Sequence, residues 1–230
     1  MSRYRVPGCV PGGDVEVRDI TLGNEQLRGG CHPHKGRTAL DRLAGVLLKH
    51  PHRTSREVQT RLMVDVLALH GSPGAGKSTL ARALALTLAQ ENIPWGVIDM
   101  DELSLIHPYP GRSFPRENLR VLWPNYVAAV PDIKLIIPTV FADEQEVDLL
   151  QAVLPGARLI ICEVTAPIEI LKQRVTDRES TEEMAVGLRR WVDVYHARSD
   201  HERIRHFQVK THPVTVDDSV RRILQLAGWA

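Results

Sequence analysis

Three cysteines in 230 residues, Cys9, Cys31 and Cys162, are too few and too widely spaced for a disulfide framework, and none forms a CxxC pair. Charge of one sign is just as scarce. The 29 basic residues against 28 acidic ones leave +1, which supplies no long-range field for nucleic acid or an anionic membrane. No apolar run approaches the roughly 20 residues needed to span a bilayer. The opening MSRYRVPGCVPGGD lacks the apolar stretch of a secretory leader. A secreted mini-protein, a membrane-spanning protein and a coiled coil are thereby excluded. The expectation is a cytoplasmic globular protein with no nucleic-acid and no membrane partner. With 43% hydrophobic residues, a chain of this length buries roughly 70% of its unfolded surface without any metal or disulfide staple.

Two regions differ in pattern. Residues 1–36 hold 7 of the 16 glycines and little apolar periodicity, so residues 1–60 read as an N-terminal extension with one or two helices. TALDRLAGVLLK (38–49) places Leu40, Leu43, Leu47 and Leu48 on one helical stripe, and Thr54 with Glu57 forms a capping box. The extension could pack on the main body or on a second copy, which allows a homodimer. Cys31, His32 and His34 are weak metal-ligand candidates without a partner cluster.

Residues 61–230 alternate strand and helix patterns, which argues for an α/β fold with a parallel sheet. The strands read 62–70, 95–99, 134–138, 157–164 and 206–210. Helices read 77–91, 117–130, 143–153, 167–178, 181–203 and 216–227, and Pro124 is expected to kink or break the first turns of the second. Cys162 falls within an apolar strand and reads as an inert core residue.

Residues 71–78 spell GSPGAGKS, a match to GxxxxGK[ST]. With 16 Gly, 6 Lys and 21 Ser plus Thr, chance would produce this pattern in about 0.3% of such chains. It also leaves an apolar strand and opens an apolar helix. Gly71, Ser72, Pro73, Gly74, Ala75 and Gly76 can curl so that backbone N–H groups point inward as an anion nest. The helix beginning at Lys77 adds its positive end. Lys77 then reaches the terminal phosphates, Ser78 ligates Mg²⁺, and Thr79 completes the loop. The expected reason for the glycines is that any side chain there would fill space meant for phosphate oxygens. Neither DxxG nor NKxD follows, as a Ras-type GTPase would need, and no LSGGQ occurs. The strand KLIIPT ends without the acid of a motor ATPase. The second strand does end in carboxylates, Asp99 and Asp101 in GVIDMDEL, placed where a doubly wound sheet binds ligands. One can organise Mg²⁺ while the other accepts a proton from an attacking hydroxyl.

At these residues the chain resembles the P-loop small-molecule kinases, the group of shikimate, gluconate, adenylylsulfate and nucleoside monophosphate kinases. The resemblance runs over about residues 62–228. It implies a P-loop NTPase three-layer α/β/α sandwich with a five-stranded parallel sheet of order 2-3-1-4-5, and ATP with Mg²⁺ as cofactors. It further implies an acceptor segment at 100–133 and a lid region at about 174–200. By that likeness Lys77, Asp99 or Asp101, and Arg178 carry catalysis, Arg174 joins the nucleotide site, and Ser78 with Asp99 holds the metal. The substrate is then a small-molecule hydroxyl acceptor.

Within 100–133, Arg112, Arg116 and Arg120 are spaced by four, and Tyr109, Phe114, Trp123 and Tyr126 are four of the eleven aromatics. Tyr109, Asp101 and the three arginines are the candidate acceptor-binding residues. Aromatic faces beside arginines suit a planar or anionic acceptor; packing of a small helical subdomain explains them equally well. Three readings stay open: a phosphotransferase acting on a metabolite hydroxyl, a nucleoside or nucleotide kinase, and a nucleotide-sensing regulatory module.

Overall fold

The computed structural model describes residues 64–230. The helices expected at 38–49 and after Thr54, and Cys31, His32 and His34, lie outside the described residues.

The first strand, β1 (Val64–His70), shows why an apolar run without alternation marks a central parallel strand. Every one of its residues is buried. Leu67 and Leu69 face one side of the sheet, Val64, Val66 and Ala68 the other, so both faces need apolar side chains. The remaining strands are β2 (Trp95–Val97), β3 (Lys134–Thr139), β4 (Ala157–Thr165) and β5 (Phe207–Lys210). All pairings are parallel and the order is β2-β3-β1-β4-β5, the order that the resemblance implied.

The helices are α1 (Lys77–Gln90), α2 (Phe114–Ala129), α3 (Glu144–Ala152), α4 (Ile168–Arg178), α5 (Glu182–His196), α6 (His201–Ile204) and α7 (Val216–Ala227). One face of the sheet is covered by α1, α4 and α7, through Leu80, Leu84, Leu88, Leu171, Val175, Ile223 and Leu224. On the other, Leu119 and Trp123 of α2 and Leu150 of α3 pack against Leu135, Ile137 and Ile161. Burying each such side chain contributes roughly 1.5–3 kcal/mol.

Two helix expectations need correction. Pro124 neither breaks nor shortens α2, which begins earlier, at Phe114, and runs through it. Pro124 is exposed while Leu119 and Trp123 are buried, so the carbonyl deprived of its partner faces solvent and the apolar stripe holds both flanks. The single helix expected over 181–203 is two, α5 and α6. Arg198 ends the first by bonding in a fork to Asp200, at 2.9 Å through both Nε and Nη2, and by donating to the Phe141 carbonyl.

At the amino edge of the sheet Asp65 is nearly buried between three donors. Lys134 Nζ and Arg158 Nε each lie 2.6 Å from its oxygens, and Trp229 Nε1 donates at 3.2 Å. Burial by itself would raise the Asp65 carboxyl, but Arg158 and Lys134 hold it below its ordinary value. Its contribution is therefore complete above about pH 4 and is lost as the pH falls further, towards the folded-state value. Asp65→Asn should cost about 2 kcal/mol, read as a lower urea midpoint at pH 7 with a smaller difference from wild type at pH 3.

Candidate active site

All five strands point their carboxyl ends to one edge, and that edge carries the chemistry. The phosphate loop leaves β1 at Gly71 and enters α1 at Lys77. Packing and backbone geometry by themselves already call for its glycines. A Cβ on Gly71 would run into the Val164 carbonyl of β4, and one on Gly74 would sit 2.6 Å from the Leu171 carbonyl of α4. These two let neighbouring backbone approach. Gly76 meets nothing within 4 Å but has φ +97°, left-handed backbone at the cap of α1, which only glycine adopts readily.

Ser72 is buried, and its hydroxyl donates to the Pro73 carbonyl at 3.2 Å, so this residue offers a ligand only its backbone. Lys77 Nζ is fixed over the loop by the Gly71 and Ser72 carbonyls, at 2.8 and 3.1 Å. Burial pulls the Lys77 ammonium down to about 8, with Asp101 and Asp99 opposing and Arg178 adding to the fall.

Beyond Val97 the chain keeps strand alternation, since Ile98 and Met100 donate their N–H groups to Ile136 and Pro138 of β3. Ile98 and Met100 therefore pack into the α2 side of the core, and Asp99 turns to the α1 side. There its Oδ2 accepts from the Ser78 hydroxyl at 2.8 Å, while Oδ1 accepts the Asp101 N–H at 3.0 Å. Burial, and then repulsion from Asp99, raise the Asp101 carboxyl above its ordinary value against the pull of Lys77 and Arg178.

Three of the cavities along this edge lie in a row. The first, about 310 Å³, is bounded by Gly74, Gly76, Thr79, Arg174, Thr211 and Val214. The second, about 170 Å³, lies over the phosphate loop and includes Pro73, Lys77, Ser78, Asp99, Asp101 and Arg178. The third, about 160 Å³, includes Asp101, Ser104, Tyr109, Arg112, Arg116 and Glu146. Gly74, Gly76, Thr79 and Arg178 are shared by the first and second. Asp101 and Val140 are shared by the second and third.

The structure separates the expected arginines. Arg178 ends α4 at the phosphate-loop cavity, beside Glu179 at 2.6 Å. Arg174, one turn earlier, is committed to protein oxygens: it donates to Gly74 O at 3.3 Å and to Thr211 Oγ1 and O at 3.0 and 2.9 Å. It staples the phosphate loop to the turn after β5 and lines the first cavity. Arg112 and Arg116 converge on Glu146, whereas Arg120 is exposed and pairs with Glu117 at 3.4 Å, away from the third cavity. Of the aromatics, Tyr109 lines that cavity, Trp123 is buried with Nε1 donating to the Pro155 carbonyl at 3.1 Å, and Tyr126 packs on the core. For Trp123 and Tyr126 this is the packing role, the second of the two explanations open for the cluster, while Tyr109 keeps the first.

A buried polar network beneath the loop carried no expectation. The ring of His70, the last residue of β1, is fully buried; its Nδ1 accepts the Phe141 N–H at 3.1 Å, which leaves the proton on Nε2, 3.0 Å from the Tyr195 hydroxyl. Tyr195 in turn donates to Glu163 Oε1 at 3.2 Å, and Gln208 and Arg205 hold Oε2. Burial takes His70 down to about 3, outweighing Glu163, so the ring is neutral and fixes Phe141 at the third cavity. The signal available was a histidine and a glutamate inside otherwise apolar strands. Cys162 is buried with its thiol pushed up by burial, in keeping with an inert core position.

Ser78 and Asp99 together offer two oxygen ligands, and Mg²⁺ is commonly held by one or two protein oxygens alongside substrate phosphates. The donor set fits that ion. Among the described residues there is no group of three or more His, Cys, Asp or Glu that could hold a metal unaided, and no helix is long and apolar enough to cross a membrane.

The sequence matches no protein-family model and no curated protein. Solved structures do match. A sugar kinase from a Janibacter species is 17% identical with a TM-score of 0.51, over 74% of this chain and 96% of that one. The APS kinase of Mycobacterium tuberculosis, determined with AMPPNP and APS, is 16% identical at a TM-score of 0.51, over 73% and 99%. The tunicamycin resistance protein of Deinococcus radiodurans is 17% identical at 0.51, over 73% and 97%. The fold is that of the P-loop small-molecule kinases.

Proposed function

We propose that the protein is an ATP-dependent phosphotransferase that moves the γ-phosphoryl group of Mg-ATP to a hydroxyl of a small molecule. The observation that carries this reading is the run of three cavities with Asp101 on the wall between the second and third. The nucleoside occupies the first cavity, the phosphates the second and the acceptor the third. Asp99 has both oxygens engaged, by Ser78 and by the Asp101 N–H, which suits it to the metal. Asp101 is left as the base.

In the transfer, the bond from the γ-phosphorus to the bridging oxygen of ADP breaks as a bond to the acceptor oxygen forms, and the acceptor proton passes to Asp101. A raised proton affinity makes that carboxylate a better base. Lys77 and Arg178 offset charge on the moving group, and backbone N–H groups of the loop hold the phosphates in line. When bound at Ser78 and Asp99, Mg²⁺ supplies further charge neutralisation on those phosphates.

The deciding experiment measures ADP release from Mg-ATP across a panel of hydroxyl compounds, with the phosphorylated product identified by phosphorus NMR. Release that depends on an acceptor supports the reading. ATP binding with no acceptor-dependent release would instead favour a nucleotide-sensing module. With Trp123 and Tyr126 away from the third cavity, Tyr109 is the one of these three left to stack on a nucleoside or nucleotide acceptor.

A further inference from the structure

Arg112 and Arg116 are the cations of the acceptor cavity, and both already face a carboxylate. Glu146 Oε1 lies 3.2 Å from Arg112 Nε and 3.9 Å from Arg116 Nη1, and Oε2 is 3.4 Å from Arg112 Nη2. Glu146 is not free to step aside for a ligand. Its carboxylate accepts the Ala142 N–H at 2.6 Å, and its own N–H donates to the Asp143 cap at 3.0 Å. Both bonds belong to the first turn of α3, where the helix dipole favours a negative charge. Only 15% of the side chain is exposed.

An acceptor bearing its own carboxylate or phosphate would compete with Glu146 for the same two guanidinium groups. It would also meet Glu146 and Asp101 as like charges in a pocket partly closed to water, where such juxtaposition is strongly unfavourable. The two arginines and two acids of the wall cancel. What they leave, with the hydroxyls of Ser104, Tyr109 and Thr139, is an interleaved set of donors and acceptors that matches a molecule rich in hydroxyl groups.

Resting on the kinase reading, we propose that the acceptor is an uncharged polyhydroxylated molecule and that Glu146 selects it over carboxylate- or phosphate-bearing analogues. The test compares kcat/KM within matched pairs: D-glucose with D-gluconate, myo-inositol with its monophosphate, and adenosine with AMP. Transfer from Mg-ATP by the wild-type protein should favour the neutral member of any pair it uses by about tenfold or more. Glu146→Gln, whose amide oxygen can still accept from Ala142, should shift that ratio toward the charged member by about tenfold. Affinity for a non-hydrolysable ATP analogue should be unchanged. A wild-type preference for the charged members, or a ratio indifferent to Glu146→Gln, would overturn the proposal. Absence of transfer to every compound, with Mg-ATP still bound, would overturn the kinase reading itself. If Glu146→Gln does not fold, the wild-type ratio alone decides the acceptor class.

Discussion

Lys77→Ala should lower phosphoryl transfer by about 10²–10³ and leave the chain folded. The lysine is well placed to have so large an effect, because the Gly71 and Ser72 carbonyls hold its ammonium over the loop. No reorganisation is then needed when phosphates arrive. Removing it should not cost stability, since a desolvated cation is being taken away from a site that already depresses its charged form. Circular dichroism melts of the two proteins should superimpose within a few degrees, and calorimetry should show weakened ATP binding.

The same site predicts the pH profile of kcat/KM. With Lys77 down at about 8, its charge is lost as the pH rises through that value in the free protein, so the profile falls on the alkaline side. Bound phosphates favour the ammonium, so ATP binding above pH 8 should take up a proton. Lys77→Arg keeps the charge across this range, and the alkaline limb should move out of it. The acid limb belongs to Asp101, whose raised value places the fall at a higher pH than an ordinary aspartate would give. Near-wild-type transfer by Lys77→Ala would remove the basis for placing a triphosphate on this loop.

What could be read from the sequence and what could not divide along one physical line. The strands were legible because a parallel strand covered on both faces is a short apolar run, as in VDVLALH and ARLIICEVT. The phosphate loop was legible because glycines and a lysine at fixed spacing leave few other uses. The short strand WGVID, ending in acids, placed Asp99 and Asp101 at the strand's carboxyl end. Contacts across long sequence separations left no such trace. His70 and Tyr195 are 125 residues apart and Arg112 and Glu146 are 34 apart, so neither pairing follows from periodicity. Arg174 and Arg178 share a helix face, yet only the structure shows that Thr211, brought beside α4 by β5, claims the first of them. The exposed ring of Pro124 shows the converse: a helix breaker is tolerated when the freed carbonyl faces water and its neighbours are anchored in the core.

Asp101→Asn should abolish transfer, by about 10²–10⁴ for the loss of a general base, while ATP still binds. The amide keeps the shape and the Asp101 N–H bond to Asp99, so the loop and metal ligands are undisturbed. Removing a carboxylate that faces Lys77 also removes repulsion toward the phosphates, so ATP affinity should hold or rise. Asp99→Asn provides the contrast. It weakens the partner of Ser78 and should raise the Mg²⁺ concentration needed for half-maximal rate, an effect that added metal partly restores. Added metal cannot restore Asp101→Asn, because the missing function is a proton acceptor on the wall between the second and third cavities. Should Asp101→Asn transfer normally while Asp99→Asn fails at every Mg²⁺ concentration, the two roles are exchanged. Should both remain active, neither carboxylate is the base and the proton must leave by another group of the acceptor cavity.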